Sequence, residues 1–189
     1  MLVLASASPR RRELMRMITT EFEALAADID ESLPPKENPR RTAELLAFQK
    51  AEAVLALRPA DVVIGCDTIV ALGSRILGKP RDPEEAADML RALSGRTHGV
   101  VTGVCILGRG KREVFSQYTD VTFFPLSEEE ILLYASSGDP LDKAGGYGIQ
   151  SGAALFVSGI RGDYYNVMGL PVGTLSRKLR EFAGNKNKL

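Results

Sequence analysis

The run Ser6-Ala7-Ser8-Pro9-Arg10-Arg11-Arg12 carries a small polar turn into a proline and three consecutive arginines. Ser8 is a good helix N-cap, and Pro9 suits the first helical position because its fixed φ is helical and its missing N–H would have no partner there. Three cations then crowd the positive end of a helix dipole, which costs roughly a few tenths of a kcal/mol each unless an anion is near. Bare amides at a helix start and guanidinium forks both suit phosphate. A basic first turn that simply reaches into water is the alternative, and this string alone does not separate the two.

Asp67 interrupts Val62-Val63-Ile64-Gly65-Cys66-Asp67-Thr68-Ile69-Val70, an apolar run typical of a strand covered on both faces. A carboxylate there loses hydration worth several kcal/mol, of order 3 or more, unless it is paired or bound to a metal. Gly65 beside it would let a ligand approach the backbone and Thr68 offers a hydroxyl, which favours a site over a structural aspartate. Lys50 falls on the same helical stripe as Ala43, Ala47, Val54 and Leu57, so its ammonium faces inward or snorkels to an edge. Lys79 sits in the rigid turn Leu77-Gly78-Lys79-Pro80-Arg81 after a short strand. The segment Asp142-Lys143-Ala144-Gly145-Gly146-Tyr147-Gly148-Ile149-Gln150 is too glycine-rich for regular structure and suits close approach of a flat ligand such as a base. Tyr164-Tyr165-Asn166 reads as a second such loop. Neither segment matches a dinucleotide fingerprint or a Walker loop. Cys66 is an inert core thiol on this reading, since no basic partner is near in sequence.

These residues must be positioned by alternating strands and helices. Strands are expected at Leu2–Ala5 and Phe22–Ala26, helices from Pro9 to about Met17 and from the Asn38-Pro39 start to about Leu57, with a polar stretch from Asp28 to Asn38 between. Capping boxes at Asp82-Pro83-Glu84-Glu85 and Ser127-Glu128-Glu129-Glu130 start two further helices. His98–Leu107 and Arg112–Phe124, joined by Gly108-Arg109-Gly110-Lys111, read as a long hairpin. A strand over Ala154–Ile160, a helix from about Leu170 to Phe182 and a frayed basic tail over Asn185–Leu189 complete the chain. The expected fold is α/β: a mixed, twisted sheet flanked by helices in an elongated two-lobed body, one domain over residues 1–189.

Lys and Arg equal Asp and Glu at 24 each, so no global field draws the chain to nucleic acid or an anionic membrane, and a basic site must be local. The apolar start is too short for a signal peptide or a span, and a cytoplasmic protein is expected. Two distant cysteines and a single histidine make a zinc site, a disulfide framework and a Ser-His-Asp triad poor readings.

Taken together, Ser6-Ala7-Ser8-Pro9-Arg10-Arg11, Gly65-Cys66-Asp67-Thr68-Ile69-Val70, Gly78-Lys79-Pro80-Arg81-Asp82 and Lys143-Ala144-Gly145-Gly146-Tyr147-Gly148-Ile149-Gln150 resemble the Maf family of nucleoside triphosphate pyrophosphatases. The likeness runs from Leu2 to about Leu179. It implies a fold related to the inosine triphosphate pyrophosphatases, with the nucleotide in a cleft between two lobes. Position by position it implies Asp67 as proton acceptor, Arg11, Thr68 and Gln150 as specificity residues, Ser6, Arg10 and Arg11 as phosphate-binding, and Glu31, Lys50 and Lys79 as charged residues of the catalytic cleft. Arg12 has no matched role and is expected to face water. The YGIQ stretch with Tyr164-Tyr165-Asn166 looks like the branch acting on dTTP and UTP rather than on 7-methyl-GTP. Gly146 and Asp163 depart from the alanine and serine usual there, without removing a needed group. The likeness also suggests a homodimer, a house-cleaning role and a link to cell division arrest.

Hydrolysis between the α and β phosphates needs charge neutralisation, cations for the leaving pyrophosphate and a carboxylate to orient water. Asp67 and Glu31 are expected to hold Mg²⁺ or Mn²⁺ directly or through water. Arg10, Arg11, Lys50 and Lys79 would surround the β and γ phosphates, while Gln150 and Thr68 read the base edge and Arg11 sets its register. The rival readings are a nucleotide-sensing regulator of septum formation that does not hydrolyse, and a phosphatase releasing orthophosphate.

Overall fold

β1 (Leu2–Ala5) leads through the Ser6–Ser8 turn into α1 (Pro9–Arg16), and the chain returns as β2 (Glu23–Ala24), parallel to β1. The computed structural model describes residues 1–29 and 38–184. α2 (Pro39–Leu57) then carries the chain back across to β3 (Val62–Leu72), parallel to β1 on its other side. Ser8 and Asn38 cap these two helices, accepting from Arg11 N and Arg40 N, each with proline in the first turn as expected.

β4 (Arg75–Leu77), β5 (Thr97–Gly108), β6 (Lys111–Phe123) and β7 (Val157–Arg161) add antiparallel pairs, giving the order β2-β1-β3-β5-β6-β7 with β4 on β3. This is a seven-stranded mixed sheet flanked by helices, as expected. α3 (Pro83–Leu93) and α4 (Glu128–Ala135) lie between strands, and α5 (Tyr164–Met168) and α6 (Val172–Phe182) follow β7.

Side chains alternate across the strands and sort into layers. Val3, Ala5, Val63 and Cys105 pack with Ala47, Ala51 and Val54 of α2 on one face. On the other face Leu4, Ile64, Cys66, Val104 and Ile106 pack with α1 and α6. Further along that face, Val70, Val100, Val121 and Phe123 pack with α3, α4 and Tyr147. The two apolar bodies meet β3 on either side of Thr68, and β5 on either side of Thr102. That boundary is where a cleft opens.

Several local expectations are corrected. β2 is only two residues and exposed, shorter than Phe22–Ala26, because it pairs on one side alone. The last strand starts at Val157, after a 3-10 turn over Gly152–Phe156 that buries Ala153 and Phe156. Tyr164–Asn166 belongs to helix α5, capped by Asp163, rather than a loop. Ser127 forms a full capping box, but at Asp82 only half forms: Asp82 accepts from Glu85 N, while the Glu85 carboxylate takes Arg81 N instead. Leu57 leaves the buried stripe of α2 and is exposed at its end. Glu31 and the Asn185–Leu189 tail lie outside the described residues.

Candidate active site

The cleft encloses about 540 Å³ and reaches from the Ser6–Arg11 turn past Lys50, Asp67 and Thr68 to Lys79 and the Tyr147–Gln150 loop. That volume suits a nucleotide-sized ligand. Its place follows from strand pairing. β1 ends at Ala5 opposite Gly65, and β4 takes up the same edge of β3 only at Val70. Residues 66–69 therefore have an unpaired edge facing the cleft, so Asp67 and Thr68 both reach it although their side chains leave opposite faces. β1 is also where parallel connections part to either side, a usual ligand position in such sheets.

Asp67 points to the α2 face, where Lys50 Nζ donates to its Oδ1 at 2.5 Å. Both residues are 8% exposed, so the pair meets the cost that the sequence pattern implied. Lys50 reaches so far because α2 lies unusually close to the sheet. A Cβ at Gly65 would stand 2.0 Å from Ala47 O, and one at Gly103 2.3 Å from Ala43 O. Gly65 thus admits the helix backbone, not a ligand, which corrects the expectation for it.

At the α1 end of the cleft, Ser6 is buried and its Oγ accepts from Ser8 N at 3.2 Å, which shapes the turn. Arg10 is half-buried and lies 3.7 Å from Asp142 across the cleft. Arg11 does something else: its Nε donates to Gly169 O at 2.9 Å, Nη1 to Cys66 O at 2.9 Å and Nη2 to Thr68 Oγ1 at 3.0 Å. The Cys66 carbonyl is available because that edge of β3 is unpaired. Arg12 is half-buried and donates to Ala7 O at 3.3 Å, so it braces the turn instead of facing water. Burial pushes the Cys66 thiol up even with Arg11 and Lys50 near, in keeping with an inert thiol.

The glycine-rich loop is anchored from below. Gly145 and Gly146 have φ of 73° and 69°, and a Cβ on Gly145 would strike Val70 at 2.8 Å. Gly145 N donates to Gly78 O at 2.9 Å, tying the loop to the turn that carries Lys79. Asp139 accepts from Tyr134 Oη, from Ser151 Oγ at 2.5 Å and from Lys143 Nζ at 2.9 Å, and Gly148 N donates to Tyr134 Oη at 3.0 Å. Burial, then the Asp139 hydrogen bond, push the Tyr134 hydroxyl up to about 12, so it remains a donor at neutral pH. Gln150, carried by this loop, is exposed to the cleft, as is Lys79.

Every expected site residue that the structure describes lines this cleft: Ser6, Arg10, Arg11, Lys50, Asp67, Thr68, Lys79 and Gln150. Asp139 and Tyr134 escaped the sequence reading. Their part depends on contacts with Ser151 and Gly148, which no spacing displays, although Gly138-Asp139-Pro140 could have been marked as a turn.

Residues 1–182 match the family described as Maf-like protein. The chain is 51% identical over 180 residues to the dTTP/UTP pyrophosphatase of Geobacillus sp. (strain WCH70), covering 95% of each. It is 50% identical over 181 residues to the dTTP/UTP pyrophosphatase of Bacillus velezensis, covering 96% of each. A solved HAM1 protein from Coxiella burnetii shares the fold, with a TM-score of 0.51 at 15% identity over 95% of this chain and 98% of that one.

Proposed function

The chain belongs to the Maf family, and we infer that it is a nucleoside triphosphate pyrophosphatase that hydrolyses dTTP and UTP to the monophosphate and pyrophosphate. The observation that carries this is a cleft in which a buried Asp67–Lys50 pair stands between a phosphate-type helix start and a pinned loop carrying Gln150. A protein that only bound nucleotides would have no need of a buried carboxylate there.

In the reaction, the Ser6–Arg10 turn and the cations Arg10, Lys50 and Lys79 hold the phosphate tail and the departing charge. Asp67 orients the attacking water at the α phosphorus and accepts its proton. Lys50 fixes the Asp67 rotamer through the hydrogen bond to Oδ1. Arg11, with its three nitrogens engaged by the protein, shapes the base end together with Thr68 and Gln150 rather than gripping phosphate.

We propose that a divalent cation assists the reaction. Among the described residues no group of three or more His, Cys, Asp or Glu could hold a metal. Magnesium commonly takes one or two carboxylates and completes its shell with water and substrate phosphate. Asp67 supplies one such carboxylate, and Glu31 is proposed as the second. When bound, Mg²⁺ or Mn²⁺ would offset the triphosphate charge. Among the described residues no helix is long and apolar enough to cross a membrane. Activity on free nucleotides suits the cytoplasm.

The test is a panel of dTTP, UTP, 7-methyl-GTP and the other canonical triphosphates, scored for pyrophosphate and orthophosphate with and without EDTA. Pyrophosphate from dTTP and UTP, abolished by EDTA and restored by Mg²⁺ or Mn²⁺, is expected. Preference for 7-methyl-GTP would sink the base assignment, and orthophosphate as the first product would sink the reaction.

A further inference from the structure

Thr68 and Thr102 stand opposite each other in the β3/β5 ladder, with their hydroxyl oxygens 2.9 Å apart. Distance alone leaves the donor open, but the surroundings close the choice. Thr102 Oγ1 lies 2.9 Å from the backbone carbonyl of Asn166, which can only accept, so the Thr102 proton points there. Thr68 therefore donates to Thr102. A hydroxyl has one proton and two lone pairs, and one lone pair of Thr68 already takes Arg11 Nη2 at 3.0 Å. What Thr68 has left for the cleft is a single acceptor site.

The far end of this relay is itself held. Asn166 is fully buried; its Oδ1 accepts from Thr102 N at 3.1 Å, and its Nδ2 donates to Val100 O and Thr119 Oγ1, both at 3.0 Å. Arg11 is fixed by Cys66 O and Gly169 O, and its Nη2 carries a second hydrogen beside the Thr68 lone pair.

We propose that Thr102 is a positioning residue that locks Thr68 as an acceptor, so that Arg11 and Thr68 together present a donor and an acceptor to an imide edge. Such an edge, carbonyl–N3–H–carbonyl, is shared by uracil, thymine and their 5-substituted relatives. This assignment rests on the dTTP/UTP reading above. Because the imide is symmetric about N3, either carbonyl takes the Arg11 donor while N3–H meets Thr68. Cytosine in the same register sets the N3 lone pair against that of Thr68. Its one matching register, N3 on Arg11 and the 4-amino group on Thr68, shifts the ring by one atom relative to its phosphates. Rejection therefore comes from polar groups left without partners.

The experiment compares kcat/KM for UTP and CTP in the wild type, Thr102→Val and Thr102→Ser by pyrophosphate release. Valine keeps the shape but frees the Thr68 proton to turn toward the cleft. The UTP:CTP ratio should exceed one in the wild type and fall about fivefold in Thr102→Val, the worth of one neutral hydrogen bond, while Thr102→Ser restores it. Loss of packing alone would lower both substrates alike. If thermal unfolding shows that Thr102→Val does not fold, Thr102→Ala takes its place. An unchanged ratio in the folded valine or alanine variant overturns the assignment, as does a wild type without preference for UTP over CTP. Failure of the wild type on both UTP and dTTP overturns the substrate reading itself, and this assignment with it.

Discussion

Asp67 and Lys50 show how a pair too distant in sequence to be linked by spacing becomes one chemical unit. Each broke its local pattern, a carboxylate in an apolar strand and an ammonium on an apolar stripe, and each break is resolved by the other. Replacing Asp67 with Asn should lower kcat for UTP by at least about a hundredfold while the thermal unfolding profile stays cooperative; wild-type turnover would refute its role. Lys50→Met should instead destabilise the fold by about 3 kcal/mol or more in urea unfolding, because a buried carboxylate loses its partner. The double variant Lys50→Met with Asp67→Asn should recover part of that loss. No recovery would mean that the two side chains are not coupled.

Among the elements, α2 determines the site most directly, since its approach to β3 and β5 sets how far Lys50 must reach. Gly65→Ala places a methyl where Ala47 O already stands, and overpacking of this kind costs about 1–3 kcal/mol. We expect Gly65→Ala to lower both Tm and kcat, and Gly159→Ala, with open space around it, to change neither. Equal Tm for Gly65→Ala and the wild type would refute the close approach. The long elements β3, β5, β6 and α2 were legible because each carries its signal, an apolar or β-branched run in the strands and an apolar stripe in the helix, over ten residues or more. β2 and α5 were not. Two residues of strand and five of helix carry too little periodicity, and pairing and packing alone define them.

For the molecule as a whole, two apolar bodies on one sheet face leave the cleft between them, and a buried aromatic cluster steadies the second body. His98 stacks edge-on against Phe123 and Tyr147, with Nε2 2.7 Å from Tyr147 Oη. Burial lowers its pKa from 6.5 to about 4. The unfolded chain therefore binds a proton that the native chain refuses between those values. Stability is fully present above about pH 6.5 and falls as pH drops toward 4, by about 3 kcal/mol from this residue at 1.36 kcal/mol per unit. Urea unfolding across that range should show the slope, and His98→Phe should flatten it. A slope identical in both would assign the effect elsewhere.

The alternation of strand and helix, the capped starts at Ser8, Asn38 and Ser127 and the odd placement of Asp67, Lys50 and the glycine-rich loop were determined by the sequence alone, because period, caps and buried charge are local properties. Tertiary structure decided what those groups do to one another. Only the gap between β1 and β4 on the edge of β3 lets adjacent residues of opposite face share a cleft. Only the convergence of α1, β3 and the Gly169 turn takes Arg11 from a string of apparent phosphate ligands and commits it to Thr68. Hydrogen bonds between distant segments depend on where chains cross, and a crossing leaves no mark in spacing.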